Sequence, residues 1–194
     1  MGKLDCSSCY LSGAMEFVED HGVGWRKDFI KLTQEAGLKI DMIDPTNKPG
    51  GVDVNIGEDK FYQEMLQKQK RWSELRQYVK KYRRYDLRFV DISDFLVVAI
   101  NTKVPQWGTA NEVYMAEQEH KPMFFICEGG LSNLPRWLFD VADLDDPSKN
   151  KRCNVFESIE QVVEELVGLD NGTLPLNDEW VLVRKDIENQ RLKS

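Results

Sequence analysis

Thr109-Ala-Asn-Glu112 sets a hydroxyl and a carboxylate three residues apart, directly ahead of an apolar-periodic run. That spacing is a capping box, in which both side chains exchange bonds with the loose N–H groups of a helix's first turn. The same geometry suits chemistry. A carboxylate in the first turn feels the positive end of the helix dipole and stays ionised. An ionised carboxylate at the mouth of a cleft is what attack on the electrophilic carbon of a sugar requires. On spacing alone, cap and nucleophile are both open.

A second set of acids lies in Asp86-Leu-Arg-Phe-Val-Asp-Ile-Ser-Asp94. Asp94 directly precedes an apolar run and suits turn or capping bonds. Asp86 falls at the end of a long helical pattern, where the dipole disfavours negative charge and raises proton affinity. That suits a proton donor, although a plain surface acid fits equally. Tyr10 and Gly13, in Tyr-Leu-Ser-Gly, read as a buried hydroxyl in a first strand and a glycine that permits a turn or a ligand's close approach. Trp107 either stacks on a base or packs within a loop. Cys6-Ser-Ser-Cys9 has redox or metal spacing but neither a second pair nor a matching His, so no metal is expected. Gly22-Val-Gly24 does not follow a strand tightly enough for a dinucleotide fingerprint.

The elements that must position these groups alternate. Cys9–Gly13 reads as a strand, 25–36 as a helix stopped by Gly37, and Leu38–Ile43 as a strand broken at Asp44-Pro45. Asn47–Gly51 is a loop by its turn residues, and 59–85, free of Gly and Pro, suits one long helix. Phe95–Ile100 is a continuous apolar run, as a central parallel strand requires. A helix over 109–119, a strand over 122–127, a strand over 152–156 and a helix over 158–167 complete the pattern. Its order implies a single α/β domain, Rossmann-like or flavodoxin-like, with about five parallel strands and helices on both faces. Ligands in such a sheet sit beyond the carboxyl ends of the strands. The domain is expected to span 1–168. Residues 169–194 are expected as a tail packed on the core or on a second subunit, with a strand at 180–183.

Composition narrows the partners. Of 194 residues, 41% are hydrophobic and 30% charged, enough apolar material for a core and too much for disorder. No apolar run approaches the roughly 20 residues of a membrane helix. Four cysteines are too few for a disulfide scaffold, and the start of the chain lacks a secretory h-region, so a reduced, cytoplasmic setting is expected. A net charge of −7 disfavours nucleic acid. The stretch from Lys68 to Arg88 dissents, with nine Lys and Arg against two acids. It reads as a solvated or oligomer-facing helix.

Taken in order, Tyr10-Leu-Ser-Gly13, Asp86 eight residues before Asp94, Phe95–Ile100, Gly108-Thr-Ala-Asn-Glu112, Ala116 and Lys121-Pro122 resemble the nucleoside 2-deoxyribosyltransferase family, which includes the deoxynucleoside 5′-monophosphate N-glycosidases. The resemblance covers roughly Cys9 to Cys127, about two thirds of the chain. It implies retaining double displacement at C1′ of a sugar, with Glu112 as nucleophile. Asp86 falls on the acid that protonates or orients the leaving base, and Tyr10 on the hydroxyl that positions the nucleophile. Substrate contacts fall at Ser12, Gly13, Met15, Gln106, Trp107, Gly108, Asn111 and Arg88. The partners implied are a nucleoside or nucleotide, a free base, and at least one further copy of the chain that closes the site. No metal or organic cofactor is implied.

Departures from the family pattern keep the substrate open. Many of the transferases carry an Asp six residues before the nucleophile and the N-glycosidases a Ser near there; this chain has Gln106. The loop from Ala14 to Gly24 is acidic and lacks the Arg-Gly-Gly of the N-glycosidases, which favours a neutral nucleoside unless Arg83, Arg84 or Arg88 contacts a phosphate. Transfer to a base, hydrolysis of a 5′-monophosphate, and a non-catalytic nucleotide-sensing or partner-binding module with Glu112 as a cap are the three expectations.

Overall fold

Alternating hydropathy yields alternating strands and helices. The computed structural model describes residues 2–47, 56–146, 148, 151–177 and 179–182. In order they form β1 (Ser8–Gly13), α1 (Val23–Glu35), β2 (Asp41–Ile43), α2 (Ile56–Lys68), α3 (Trp72–Ile92), β3 (Phe95–Ile100), α4 (Trp107–Gln118), β4 (Met123–Cys127), β5 (Val155–Phe156) and α5 (Ile159–Asn171). All strand pairs are parallel and the order across the sheet is β2-β1-β3-β4-β5. This is the flavodoxin-like winding, whose order reverses between β1 and β3. The expected fold class, a single α/β domain with a five-stranded parallel sheet and helices on both faces, is the one observed.

Strand periodicity sorts the core into two halves. Cys9 and Leu11 on β1 join Phe95 and Val97 on β3 in packing against Phe29 of α1 and Val162, Leu166 and Leu169 of α5. Tyr10, Leu96 and Val98 point the other way, onto Val90 of α3 and Val113 and Ala116 of α4. Each large apolar side chain fully buried this way contributes about 1.5–3 kcal/mol, so packing rather than propensity holds the helices to the sheet. Ser12 pairs with Val98 and shares the parity of Tyr10. The first strand thus aims two hydroxyls at α4.

The long helix expected over 59–85 is two. Lys70 takes a left-handed conformation at φ 56°, and Arg71 N–H closes on Leu66 O at 2.9 Å, ending α2 without a glycine. Leu66 is fully buried at that turn, and Tyr62 meets Tyr78 edge to face at 5.0 Å across the α2–α3 pair. Tertiary contact therefore outweighs the roughly 1–2 kcal/mol that a side chain loses in this conformation. Strands β2 and β5 are shorter than expected, and the β4–β5 connection includes the 3-10 turns Gly130–Ser132 and Arg136–Asp140.

Beyond α5, Leu174, Leu176 and Trp180 pack on the α1/α5 half of the core. Residues 180–182 form no strand, and Val183, the end of the strand expected there, lies outside the described residues, as do 184–194 and most of the 47–51 loop. Among the described residues no helix is long and apolar enough to cross a membrane.

Candidate active site

Helix α4 follows β3 and presents Thr109, Glu112, Val113 and Ala116 to the sheet, a buried stripe at helical spacing. Glu112 is the one acid in that stripe and is 8% exposed. The capping box is corrected. Gln106 is the N-cap, so Thr109 lies inside the helix and Glu112 falls in the second turn, past the loose N–H groups. The cause is Gln106 itself. Its Nε2 donates to Ala99 O at 3.0 Å and its Oε1 accepts from Asn101 N–H at 2.9 Å, closing the β3–α4 loop and starting the helix early.

The Glu112 carboxylate meets β1 instead. Tyr10 Oη donates to Oε1 at 2.9 Å and Ser12 Oγ donates to Oε2 at 2.5 Å. Burial pushes the Glu112 carboxyl above the usual carboxylate range; the charge of Asp86 adds to that push, while the Ser12 and Tyr10 hydroxyls and the Arg26 charge pull it back. Helix-dipole stabilisation is thus not what governs Glu112. Burial, with the nearby Glu112 and Asp86 charges, lifts the Tyr10 phenol well above its ordinary value and keeps it a neutral donor. Asp86 does not end a helix, because α3 continues to Ile92. It is half-buried on the α4-facing side, within electrostatic reach of both Glu112 and Tyr10.

Asp94 is a strand clasp. Its Oδ2 accepts from Ser8 N–H at 2.8 Å and Ser8 Oγ at 3.1 Å, joining the starts of β1 and β3. Lys121 is a helix cap: its buried Nζ donates to Val90 O at 2.9 Å, Asp91 O at 2.5 Å and Ser93 O at 2.7 Å, and pairs with Glu119 at 2.9 Å. These bonds satisfy the carbonyls at the C-terminal end of α3.

The residues expected on substrate differ in where they lie. Ser12 and Gln106 have their polar atoms engaged within the protein, as above. Trp107 is 82% exposed at the start of α4, next to Gly108, where an added Cβ would meet open space. Asn111 is exposed and its Oδ1 accepts from Arg83 at 3.5 Å. Gly13 ends β1, and Met15 follows it half-buried, its carbonyl 3.4 Å from His21 Nδ1. Arg88 stands apart: it pairs with Asp91 and lines a cavity of about 510 Å³ along α3 with Lys80, Lys81, Arg84 and Tyr85.

Sequence reasoning missed Arg26. It is fully buried on α1, in a stripe with Phe29 and Thr33 that does signal its direction. Its guanidinium bonds the backbone around β1's end and acts electrostatically on Glu112 and Tyr10. Among the described residues no group of His, Cys, Asp and Glu is placed to hold a metal ion. Cys6, Cys9, Cys127 and Cys153 are free thiols.

Fold and site together define a Rossmann-like α/β domain with a buried carboxylate clamped by two hydroxyls at its β1/β3 switch point. No protein-family model matches the chain, and no curated protein matches it significantly.

Proposed function

We propose that this chain cleaves the N-glycosidic bond of a nucleoside or deoxynucleoside by double displacement and transfers the sugar to another base. The observation that supports it is the Tyr10–Glu112–Ser12 clamp at the switch point, where open α/β sheets take ligands. In the first step a Glu112 oxygen bonds C1′ as the C1′–N bond breaks. The electron pair leaves with the base, which takes a proton from Asp86 in its protonated form, the form in which Asp86 adds no charge beside Glu112. In the second step a ring nitrogen of the acceptor base attacks C1′, the C1′–O bond breaks, the Glu112 carboxylate re-forms and the proton returns to Asp86. Tyr10 and Ser12 orient the two carboxylate oxygens, and the exposed Trp107 ring stacks on the base. The enzyme is cytoplasmic and homo-oligomeric, a second copy closing the site.

Hydrolysis of a nucleoside 5′-monophosphate is the second reading. Arg83 favours it, since its bond to Asn111 puts a cation one residue from Glu112. One panel separates the readings: deoxynucleosides, ribonucleosides and their monophosphates, each with and without free base. Base release only with an acceptor base supports transfer, and release without one supports hydrolysis. Ligand-induced melting shifts without turnover would leave only a nucleotide-binding module.

A further inference from the structure

Arg26 is a fully buried cation placed among apolar side chains, with Phe29 on the same helix face and Leu11 opposite. A residue retained only for packing there would be apolar, because taking a charge out of water costs several kcal/mol unless its donors are met. They are met by the backbone next to the candidate nucleophile's clamp. Nε donates to Leu11 O at 3.1 Å, Nη2 to Gly13 O at 3.1 Å and Nη1 to Gly22 O at 2.7 Å. Leu11 and Gly13 flank Ser12, so one rigid fork grips the strand on both sides of the hydroxyl that meets Glu112.

The surroundings are built to that guanidinium. Gly22 holds φ 72°, and a Cβ there would collide with Arg26 Nη1 and Ala14 O. The Trp25 ring lies 4.7 Å under the guanidinium, and Asp44 Oδ1 is 3.7 Å from Nε. The titratable and charged groups acting on Glu112 are Tyr10 from β1, Asp86 from α3 and Arg26 from α1; Arg26 is the cation among them.

We propose that Arg26 is the positioning residue and charge partner of the Glu112 site. Its fork sets the Ser12 hydroxyl against the carboxylate, and its charge, moderated by Asp44, favours the anionic form that attack requires. This rests on reading Glu112 as the nucleophile. It adds a residue on a third element, outside the clamp, whose backbone bonds brace the strand on both sides of Ser12 and whose field reaches the Glu112 carboxylate.

The test titrates Glu112 in the full chain by carbon NMR with labelled Glu carboxyls, the signal being identified by its loss in Glu112→Gln. Arg26→Gln is expected to move the Glu112 midpoint up. Asp44→Asn keeps an acceptor for the Thr46 N–H and hydroxyl that Asp44 Oδ1 holds at 2.8 and 2.7 Å, removes the charge opposing Arg26, and is expected to move the midpoint down. General loosening of the structure does not give shifts of opposite sign. Arg26→Lys keeps the charge but not the fork. It is expected to leave the midpoint near wild type and lower kcat on the order of a hundredfold with little change in KM, the signature of a misplaced group. A midpoint unmoved in both charge variants, or moved the same way in both, overturns the proposal. If Arg26→Gln does not fold, Asp44→Asn decides alone, and an unmoved midpoint there overturns it. The titration needs no substrate, so a wild type inert toward every nucleoside would remove the reaction while leaving the coupling of Arg26 to Glu112 measurable.

Discussion

Ser12 on β1 and Glu112 on α4, one hundred residues apart, meet hydroxyl to carboxylate at 2.5 Å across the switch in strand order. Among the groups that pull the Glu112 carboxyl back down against its burial, the Ser12 bond acts most strongly, ahead of Tyr10 and Arg26. Ser12→Ala is therefore expected to raise the proton affinity of Glu112 further than Tyr10→Phe does. The acid limb of the base-release profile should move to higher pH in both variants, more so in Ser12→Ala. Rates measured across pH with one nucleoside check the order, and a larger shift in Tyr10→Phe would contradict it.

The same carboxylate makes stability depend on pH with a definite sign. Burial raises its folded-state proton affinity above that of the unfolded chain, so the folded state holds the proton more tightly. The contribution is fully present below the ordinary carboxylate range and is lost as pH rises through the raised folded value. Glu112→Gln lacks this loss, and its amide still bonds both hydroxyls, accepting from one and donating to the other. The variant is expected to be inactive, to melt above wild type at neutral pH, and to lose that advantage as the pH falls into the ordinary carboxylate range. Thermal unfolding of both proteins over a pH series measures it. An advantage that grows toward acid would refute the assignment.

Much of this was written in the chain. The apolar run at Phe95–Ile100 and the alternation around it carry the parallel sheet, because burial on both faces leaves no other pattern. Tyr10 and Glu112 were legible as candidates, but the capping box misled: Gln106 closes its own loop through Ala99 O and Asn101 N–H, a side-chain-to-backbone closure that the Thr109–Glu112 spacing does not encode. The α2–α3 break was invisible because what accompanies the left-handed turn at Lys70, the Tyr62–Tyr78 contact and the burial of Leu66, exists only once the two helices fold on each other. Arg26 was overlooked because a charge in an amphipathic helix reads as solvent-facing; its position three residues before Phe29 was the available signal.

Lys121 offers a test outside the site. Its ammonium meets three carbonyls at the end of α3, the helix that carries Asp86. Lys121→Met keeps most of the unbranched stem and removes the ammonium from those acceptors, at a cost of roughly 3 kcal/mol for bonds of this charged kind. Urea unfolding should register that loss with an unchanged slope. Proton exchange in the last turn of α3 should accelerate more than in α5, which shares none of these bonds. A uniform acceleration would argue for a global packing role instead.

Gly13 pits two opposing effects against each other. Alanine there would lower the entropy of the unfolded chain, a gain of about 0.4–1 kcal/mol where the native backbone accepts it. Against that, the new Cβ would lie 3.1 Å from Trp25 Cζ2 and 3.3 Å from both Ala99 Cβ and Ala99 O. The Trp25 ring has a half-buried edge and can yield. Ala99 cannot yield as easily: it is paired to Gly13 in the sheet, and its carbonyl also accepts from Gln106. Overpacking against fixed backbone costs about 1–3 kcal/mol and outweighs the entropy gain. Gly13→Ala is thus expected to lose about 1 kcal/mol by urea unfolding. It should also lose activity beyond what that accounts for, because Gly13 O is one of the three carbonyls Arg26 holds and any shift passes directly to Ser12. A variant that gained stability and kept full turnover would show that the end of β1 is looser than its contacts imply.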